Sequence, residues 1–170
     1  CTFCASNVVW HSNSKTKAGG SFVRFRPMDM VIEDLSILQN KYEVDFFYIQ
    51  DDTFGIHEPH IREFCNAYKE SGLKMLWSAQ TRTPCIKNPE IIKLLRDTGC
   101  IQLDFGIESG SPKILKDLKK LITVEDAHRA FDLCHQHGMR TYANMMINMP
   151  GETEEDLALS HKLLERIKPT

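Results

Sequence analysis

Apolar and polar positions alternate along the chain in two rhythms, one helical and one extended. Val31, Leu35, Leu38 and Tyr42 recur at helical spacing, and Asp29 stands where it can cap the helix they define. Residues 44–49 are aromatic and β-branched, which predicts a strand. That strand runs into the polar cluster Gln50-Asp51-Asp52-Thr53 and then a helix over 57–71, ended by Gly72. Residues 74–79 read as the next strand, closing in Gln80-Thr81-Arg82. Asn88-Pro89 heads a helix carrying Ile91, Leu94 and Leu95, and Gly99 ends it. Residues 100–105 are strand again, followed by Gly106-Ile107-Glu108-Ser109-Gly110. Ser111-Pro112 opens a short helix, and Thr123 with Asp126 forms a capping box for a longer one ended by Gly138. Residues 141–147 give the last strand, and Thr153 with Asp156 caps a final helix to about Ile167.

Strand, polar turn, helix and glycine thus repeat at intervals of roughly 30 residues, the length of a βα unit with parallel strands. Four units are visible. The continuous apolar character of the strands predicts a sheet covered on both faces. The fold class is α/β: a (β/α) barrel or part-barrel fits, and a doubly wound open sheet is the alternative. The stretch before the first helix breaks the rhythm. It is polar and glycine-bearing, and reads as a loop through Ser12 to Gly20 with a short extended piece over 22–26.

At 170 residues the chain is long enough for one domain with a sizeable core. A net charge of −2, with both signs interspersed, gives no support to a nucleic-acid or membrane-surface role. No apolar run approaches a membrane span, and no signal peptide is visible. The 6 cysteines are irregularly spaced and do not read as a disulfide framework, so a reducing, cytoplasmic setting is expected. The chain opens on Cys1 and closes on Thr170 just after Pro169, and residues 1–170 therefore read as one incomplete domain of a longer protein.

In parallel α/β folds, ligands bind at the carboxyl ends of the strands, where the βα loops converge. The unusual polar residues of this chain fall there: Asp51, Asp52 and Thr53; Gln80 and Arg82; Glu108 and Ser109; Asn144, with Gly151 and Glu152 beyond it. The opposite loops, Ser71-Gly72, Thr98-Gly99 and His137-Gly138, are short and plain. Taken singly, Asp51-Asp52 reads equally well as carboxylates favoured at a helix start, and Arg82 as half of an ordinary ion pair. Convergence on one rim favours a site, and Gly106, Ser109 and Gly110 let backbone come close to a ligand there.

The pair in Cys1-Thr2-Phe3-Cys4 belongs to the same face. Its spacing suits zinc, an iron–sulfur cluster or a redox disulfide. A zinc ribbon needs a second pair, a thioredoxin-type site should open a helix directly after a strand, and a cluster needs further cysteines from outside this chain. Elsewhere, Cys134-His135-Gln136-His137 has metal-ligating types but occupies a last helical turn, where His is favoured by the dipole. His57 and His60 flank Pro59 at a helix start and make a weaker metal candidate still. Cys65, Cys100 and Cys134 fall in apolar stretches as small core residues. Cys85 is the lone thiol on the functional side, and Lys113, Lys116 and Lys119 read as a solvated helix face.

Cys1-Thr2-Phe3-Cys4 resembles the second half of the radical S-adenosylmethionine signature, Cys-x3-Cys-x-aromatic-Cys. Further blocks resemble the same superfamily: Val23-Arg24-Phe25-Arg26, Ile49-Gln50-Asp51-Asp52-Thr53-Phe54, Trp77-Ser78-Ala79-Gln80-Thr81-Arg82, Gly106-Ile107-Glu108-Ser109-Gly110-Ser111 and Met149-Pro150-Gly151-Glu152-Thr153. The combination is most similar to the branch whose members often carry an upstream cobalamin-binding domain, such as methylases and the anaerobic magnesium-protoporphyrin cyclase.

The resemblance implies a partial TIM-like barrel of parallel strands with outer helices, its first and last units missing. It implies that Cys1 and Cys4 each ligate one iron of a 4Fe–4S cluster, the third cysteine lying four positions before Cys1. The fourth iron then stays open for the amino and carboxylate groups of S-adenosylmethionine. Phe3 would pack near the adenine, Asp51, Asp52 and Thr53 would hold the methionine amino group, and Glu108 would contact the cofactor beside Ser109. Lys120, with Arg82 as a further candidate, would neutralise the methionine carboxylate, and Asn144 would meet the ribose. The implied reaction is reductive cleavage of the sulfonium to a 5′-deoxyadenosyl radical that takes hydrogen from a small-molecule substrate. Electrons would come from a donor such as flavodoxin or ferredoxin, and cobalamin through a separate domain. Asn148 departs from the pattern: many relatives have glycine there, so a different local backbone is expected. Two other readings remain: a lyase or aldolase on the same barrel, against which no lysine ends a visible strand, and a non-catalytic module if the upstream cysteine is missing.

Overall fold

The predicted strands and helices all form; the first three strands run further into their polar ends than local sequence indicates, while the last ends at Met145, two residues short. A computed structural model describes residues 1–5 and 23–170. Its order is α1 (Met28–Tyr42), β1 (Phe46–Phe54), α2 (Glu58–Glu70), β2 (Leu76–Thr81), a 3₁₀ turn (Thr83–Cys85), α3 (Pro89–Asp97), β3 (Cys100–Glu108), α4 (Pro112–Asp117), α5 (Val124–Gln136), β4 (Arg140–Met145) and α6 (Glu154–Ile167). The loop predicted through Ser12 to Gly20, and Phe22 of the extended piece, lie outside the described residues, while 23–26 join no strand.

Local chemistry sets most of the boundaries. Thr123 with Asp126 and Thr153 with Asp156 form reciprocal capping boxes, as predicted. Asn88 accepts the Glu90 N–H at the head of α3, with Pro89 in the first turn. Gly72, Gly99 and Gly138 all take positive φ after their helices. Asp29 is a correction. Helix α1 starts at Met28 behind Pro27 with no side-chain cap, and Asp29 sits in the first turn, where a carboxylate suits the helix dipole.

The strands pair in parallel in the order β1-β2-β3-β4. A doubly wound sheet reverses its order at a switch point; this one does not, so the chain forms an arc of consecutive βα units. Trp77, Ala79, Leu103, Phe105 and Ile107 face Ile61, Phe64, Ile92, Leu95, Phe131 and Leu163 in one core between sheet and helices. The polar atoms buried there are satisfied by backbone: the Trp77 indole N–H donates to Thr98 O at 2.7 Å and the Tyr68 hydroxyl to Met75 O at 2.6 Å.

The other face of the sheet is open among the described residues, which do not supply the second of the two expected covers. Phe46, Tyr48, Leu76 and Tyr142 are between 36% and 51% exposed on it. The cause is the two-residue period of a strand: a run that looks uniformly apolar, such as Phe46-Phe47-Tyr48-Ile49, sends Phe47 and Ile49 to the core and Phe46 and Tyr48 to the opposite side. We call this second surface the inner face.

Candidate functional site

The residues at the carboxyl ends of β2 and β3 meet the cysteine-bearing start of the chain through one turn, residues 118–121. Thr2 donates its backbone N–H to Leu118 O at 2.9 Å, and its hydroxyl approaches the same oxygen at 3.4 Å. Two residues further along that turn, Lys120 Nζ lies 2.6 Å from Glu108 Oε1, and it also sits 5.9 Å from the centre of the Phe3 ring. Arg82 braces the turn by donating from Nη2 to Lys120 O at 2.5 Å. Lys119 and Leu121 both take positive φ on either side of Lys120.

Backbone geometry at the end of β3 aims the carboxylate. Glu108 has a φ of 70°, and Ser109 N–H donates to Ile107 O at 3.0 Å, so Glu108 is the centre of a γ-turn. That conformation is rare and strained for a residue with a side chain, and strain of this kind concentrates at ligand sites. It also breaks the β3–β4 register between Gly106 and Glu108, while Met146 N–H donates to Glu108 O at 2.8 Å. Glycine at 106 is required by close approach: a Cβ there would lie 2.8 Å from Glu108 Oε1 and 2.9 Å from Lys120 Nζ. The pair is well shielded, with side chains 9% and 10% exposed for Lys120 and Glu108.

Ser109 is placed differently from its expectation. It is fully buried, with its hydroxyl between Ser160 Oγ at 3.2 Å and the Ser111 N–H at 3.1 Å. Gly110 lets α6 press onto this strand end, since a Cβ would lie within 2.4 Å of Leu159 O. Asp156 completes the joint: it accepts from Ser111 Oγ at 2.5 Å, and that bond together with the Thr153 N–H holds its carboxyl down to about 2.

Asp51, Asp52 and Thr53 belong to β1 rather than to a loop after it, and they occupy a wide bulge. Strand β1 runs from Ile49 to Phe54 while β2 advances only from Ala79 to Thr81. Asp51 and Thr53 line a cavity of about 310 Å³ between β1, α1 and α2, with Phe25, His57 and His60 on its far wall. Among the described residues, no hydrogen bond or ion pair joins Asp51 or Asp52 to the Glu108–Lys120 pair. Asn144 is half-buried opposite Gly106 on the neighbouring strand. Asn148 has a φ of 62°, the left-handed conformation that glycine favours and asparagine tolerates.

Other candidates resolve into structure. Phe25 packs on His57 and His60, at centroid distances of 5.3 and 4.3 Å. His135 bonds Thr141 and stands edge-on to Phe131, while Cys134 is fully buried and burial lifts its thiol to about 12. Cys85 is a reduced thiol that burial raises, so it is a poor nucleophile at neutral pH. Sequence reasoning missed the inner face, where the Tyr48 hydroxyl donates to Asp104 Oδ2 at 2.9 Å. Period-two alternation within residues 46–49 and 102–104 was the signal available.

For an amino-acid ligand the fit is chemical: a buried anion and cation lie side by side under an aromatic ring. For a cluster the donor types fit, with two thiols in a turn closed by Cys4 N–H on Cys1 O at 3.4 Å. Among the described residues no group of three His, Cys, Asp or Glu gathers, so the set at Cys1 and Cys4 is incomplete by itself.

Fold and rim define an arc of a (β/α) barrel whose ligand face lies at the carboxyl ends of its strands. The Radical SAM superfamily profile matches residues 1–164, and the chain belongs to that superfamily of enzymes. It is 30% identical over 97% of its length to the cytidylyl-2-hydroxyethylphosphonate methyltransferase of Streptomyces wedmorensis, covering 30% of that protein. It is 26% identical over 99% of its length to the anaerobic magnesium-protoporphyrin IX monomethyl ester cyclase of Rubrivivax gelatinosus, covering 29% of it. Among solved structures, the radical S-adenosylmethionine methyltransferase TsrM from Kitasatospora setae, with cobalamin and a [4Fe-4S] cluster bound, superposes at a TM-score of 0.70. That match covers 85% of this chain and 30% of TsrM at 19% identity, and it shows the partial TIM-like barrel. The chain spans about a third of the length of the curated relatives it matches. Among the described residues no helix is long and apolar enough to cross a membrane.

Proposed function

We propose that this domain holds a 4Fe–4S cluster through Cys1, Cys4 and a third thiolate from outside these residues, and binds S-adenosylmethionine beside it. The observation that carries the reading is the shielded Glu108–Lys120 pair over Gly106, tied through Thr2 and Phe3 to the cysteine turn. In this reading Lys120, backed by Arg82 on its carbonyl, takes the methionine carboxylate, and Glu108 contacts the cofactor beside it. Phe3 offers its ring to the adenine. Asp51, Asp52, Thr53 and Asn144 are assigned to the amino group and ribose by superfamily position, and Ser109 contributes backbone, since its hydroxyl is committed to the α6 joint. When bound, cluster and cofactor supply one-electron reductive cleavage and a hydrogen-abstracting radical. The chain's own part is to orient the two, screen them from water and leave the inner face open to a small-molecule substrate. Methyl transfer or cyclisation with cobalamin from a separate domain is the reaction type we assign, by analogy with the relatives. A flavodoxin or ferredoxin serves as electron donor, in a reducing, cytoplasmic setting.

Anaerobic reconstitution of the full-length protein, followed by EPR with and without S-adenosylmethionine, tests this. We expect a 4Fe–4S signal that changes when the cofactor is added and is lost in Cys1→Ala. A protein without cluster signal, or a signal that the cofactor leaves unmoved, overturns the reading.

A further inference from the structure

The inner face carries a polar network that the rim does not use. Asp104, at the middle of β3, accepts from the Tyr48 hydroxyl at Oδ2 and from Gln102 Nε2 at Oδ1, at 2.9 and 2.8 Å. The Tyr48 bond joins positions 56 apart in sequence and crosses from β1 over β2 to β3. Each carboxylate oxygen has two acceptor positions, so each keeps one open. Asp104 is half-buried and Tyr48 36% exposed, so no described residue covers those positions completely from the inner face. Gln80 and Tyr142 stand in register on either side of Asp104, both exposed. Arg140 is opposite Gln102, and among the described residues no ion pair joins it to Asp104.

We infer that Asp104 is the anchor for a cationic, N–H-donating group of the substrate, with Tyr48 and Gln102 as the positioning residues that fix its carboxylate. Two donors hold the carboxylate plane, and an anion so fixed on an open face has room for two further N–H bonds, the demand of an ammonium group. Tyr48 stays a donor throughout, because burial and the Asp104 bond raise its hydroxyl to about 12. Asp104 lies four residues before Glu108 on β3, about 13 Å at the rise of a strand. A substrate anchored here by its nitrogen therefore presents a remote end to the rim. This assignment rests on the reading of the rim as the site of the chemistry.

The test uses the full-length protein without cofactor or cluster, so its failure and the failure of the rim reading are separate results. Benzylammonium is the probe and benzyl alcohol its uncharged counterpart, both measured by ligand-observed NMR. We expect wild type to bind benzylammonium about tenfold more tightly than the alcohol, the order of one charge-assisted hydrogen-bonded contact. Asp104→Asn should abolish that preference. Tyr48→Phe, a near-isosteric change that covers the case in which Asp104→Asn does not fold, should reduce it about threefold, through lost orientation alone. Equal binding of the two probes to wild type, or a preference unchanged in Tyr48→Phe or Asp104→Asn, overturns the assignment.

Discussion

Lys120 and Glu108, twelve positions apart, form a 2.6 Å ion pair that exists because residue 106 has no side chain. Both groups are shielded, so removing one strands the other. Lys120→Met should cost about 3 kcal/mol in urea unfolding, the low end for breaking a buried pair. The double variant Glu108→Gln/Lys120→Met should recover most of that loss. A double variant no more stable than Lys120→Met would show that the pair is not energetically coupled.

The two close-packed glycines of this strand end should answer differently to alanine. In Gly106→Ala the new methyl meets the tips of two flexible side chains, so the fold adjusts and the ion pair is what gives way. We expect about 1 kcal/mol of lost stability but at least about a tenfold loss in S-adenosylmethionine affinity. In Gly110→Ala the methyl meets backbone of Leu159 and Ser160, which has nowhere to go. That variant should lose about 3 kcal/mol. Calorimetric melting of both variants, with cofactor titration of the first, provides the comparison.

Acid should loosen the α6 joint through Asp156. Its folded-state value is lowered from 3.8 to about 2, chiefly by the Ser111 hydroxyl and then by Thr153. A depressed carboxylate stabilises the fold above its unfolded value and loses that contribution as pH falls through the folded one. Asp156→Asn should therefore be less stable than wild type at pH 5, with the gap narrowing between about pH 4 and 2. Unfolding midpoints across that range measure it; a constant gap would contradict the assignment.

Tyr48 should titrate late, near 12. In Asp104→Asn its value should move back toward 10, although burial, the larger cause, remains. Absorbance titration of the phenolates reads this directly, and an unmoved value would remove the hydrogen bond from the explanation.

What the sequence revealed followed the range of the interactions. The capping boxes at Thr123 and Thr153 and the cap at Asn88 involve atoms two or three residues apart, so the residues declare them. The strand ends did not declare themselves. Asp51, Asp52 and Glu108 look like loop residues, yet β1 carries the first two in a bulge before pairing again at Phe54, and pairing with β4 carries β3 through Glu108, overriding local polarity. The resemblance implied that Glu108 and Lys120 serve one ligand, but their direct ion pair, its notch at Gly106 and the γ-turn that aims it come from tertiary geometry. The Tyr48–Asp104 bond crosses an intervening strand, and no local pattern could pair them. Ser109 shows the converse: a polar residue in the right loop whose hydroxyl is spent on holding a helix.

The single backbone bond from Thr2 to Leu118 closes a loop across 116 positions of sequence. It makes the cysteine turn and the Lys120 turn one mechanical unit, with no side chain needed as intermediary. Loading metal on the thiols should therefore quiet the Lys120 segment before any cofactor arrives. On the reading of Cys1 and Cys4 as cluster ligands, assembly would then have a preferred order, with iron–sulfur insertion priming the seat that the second ligand fills.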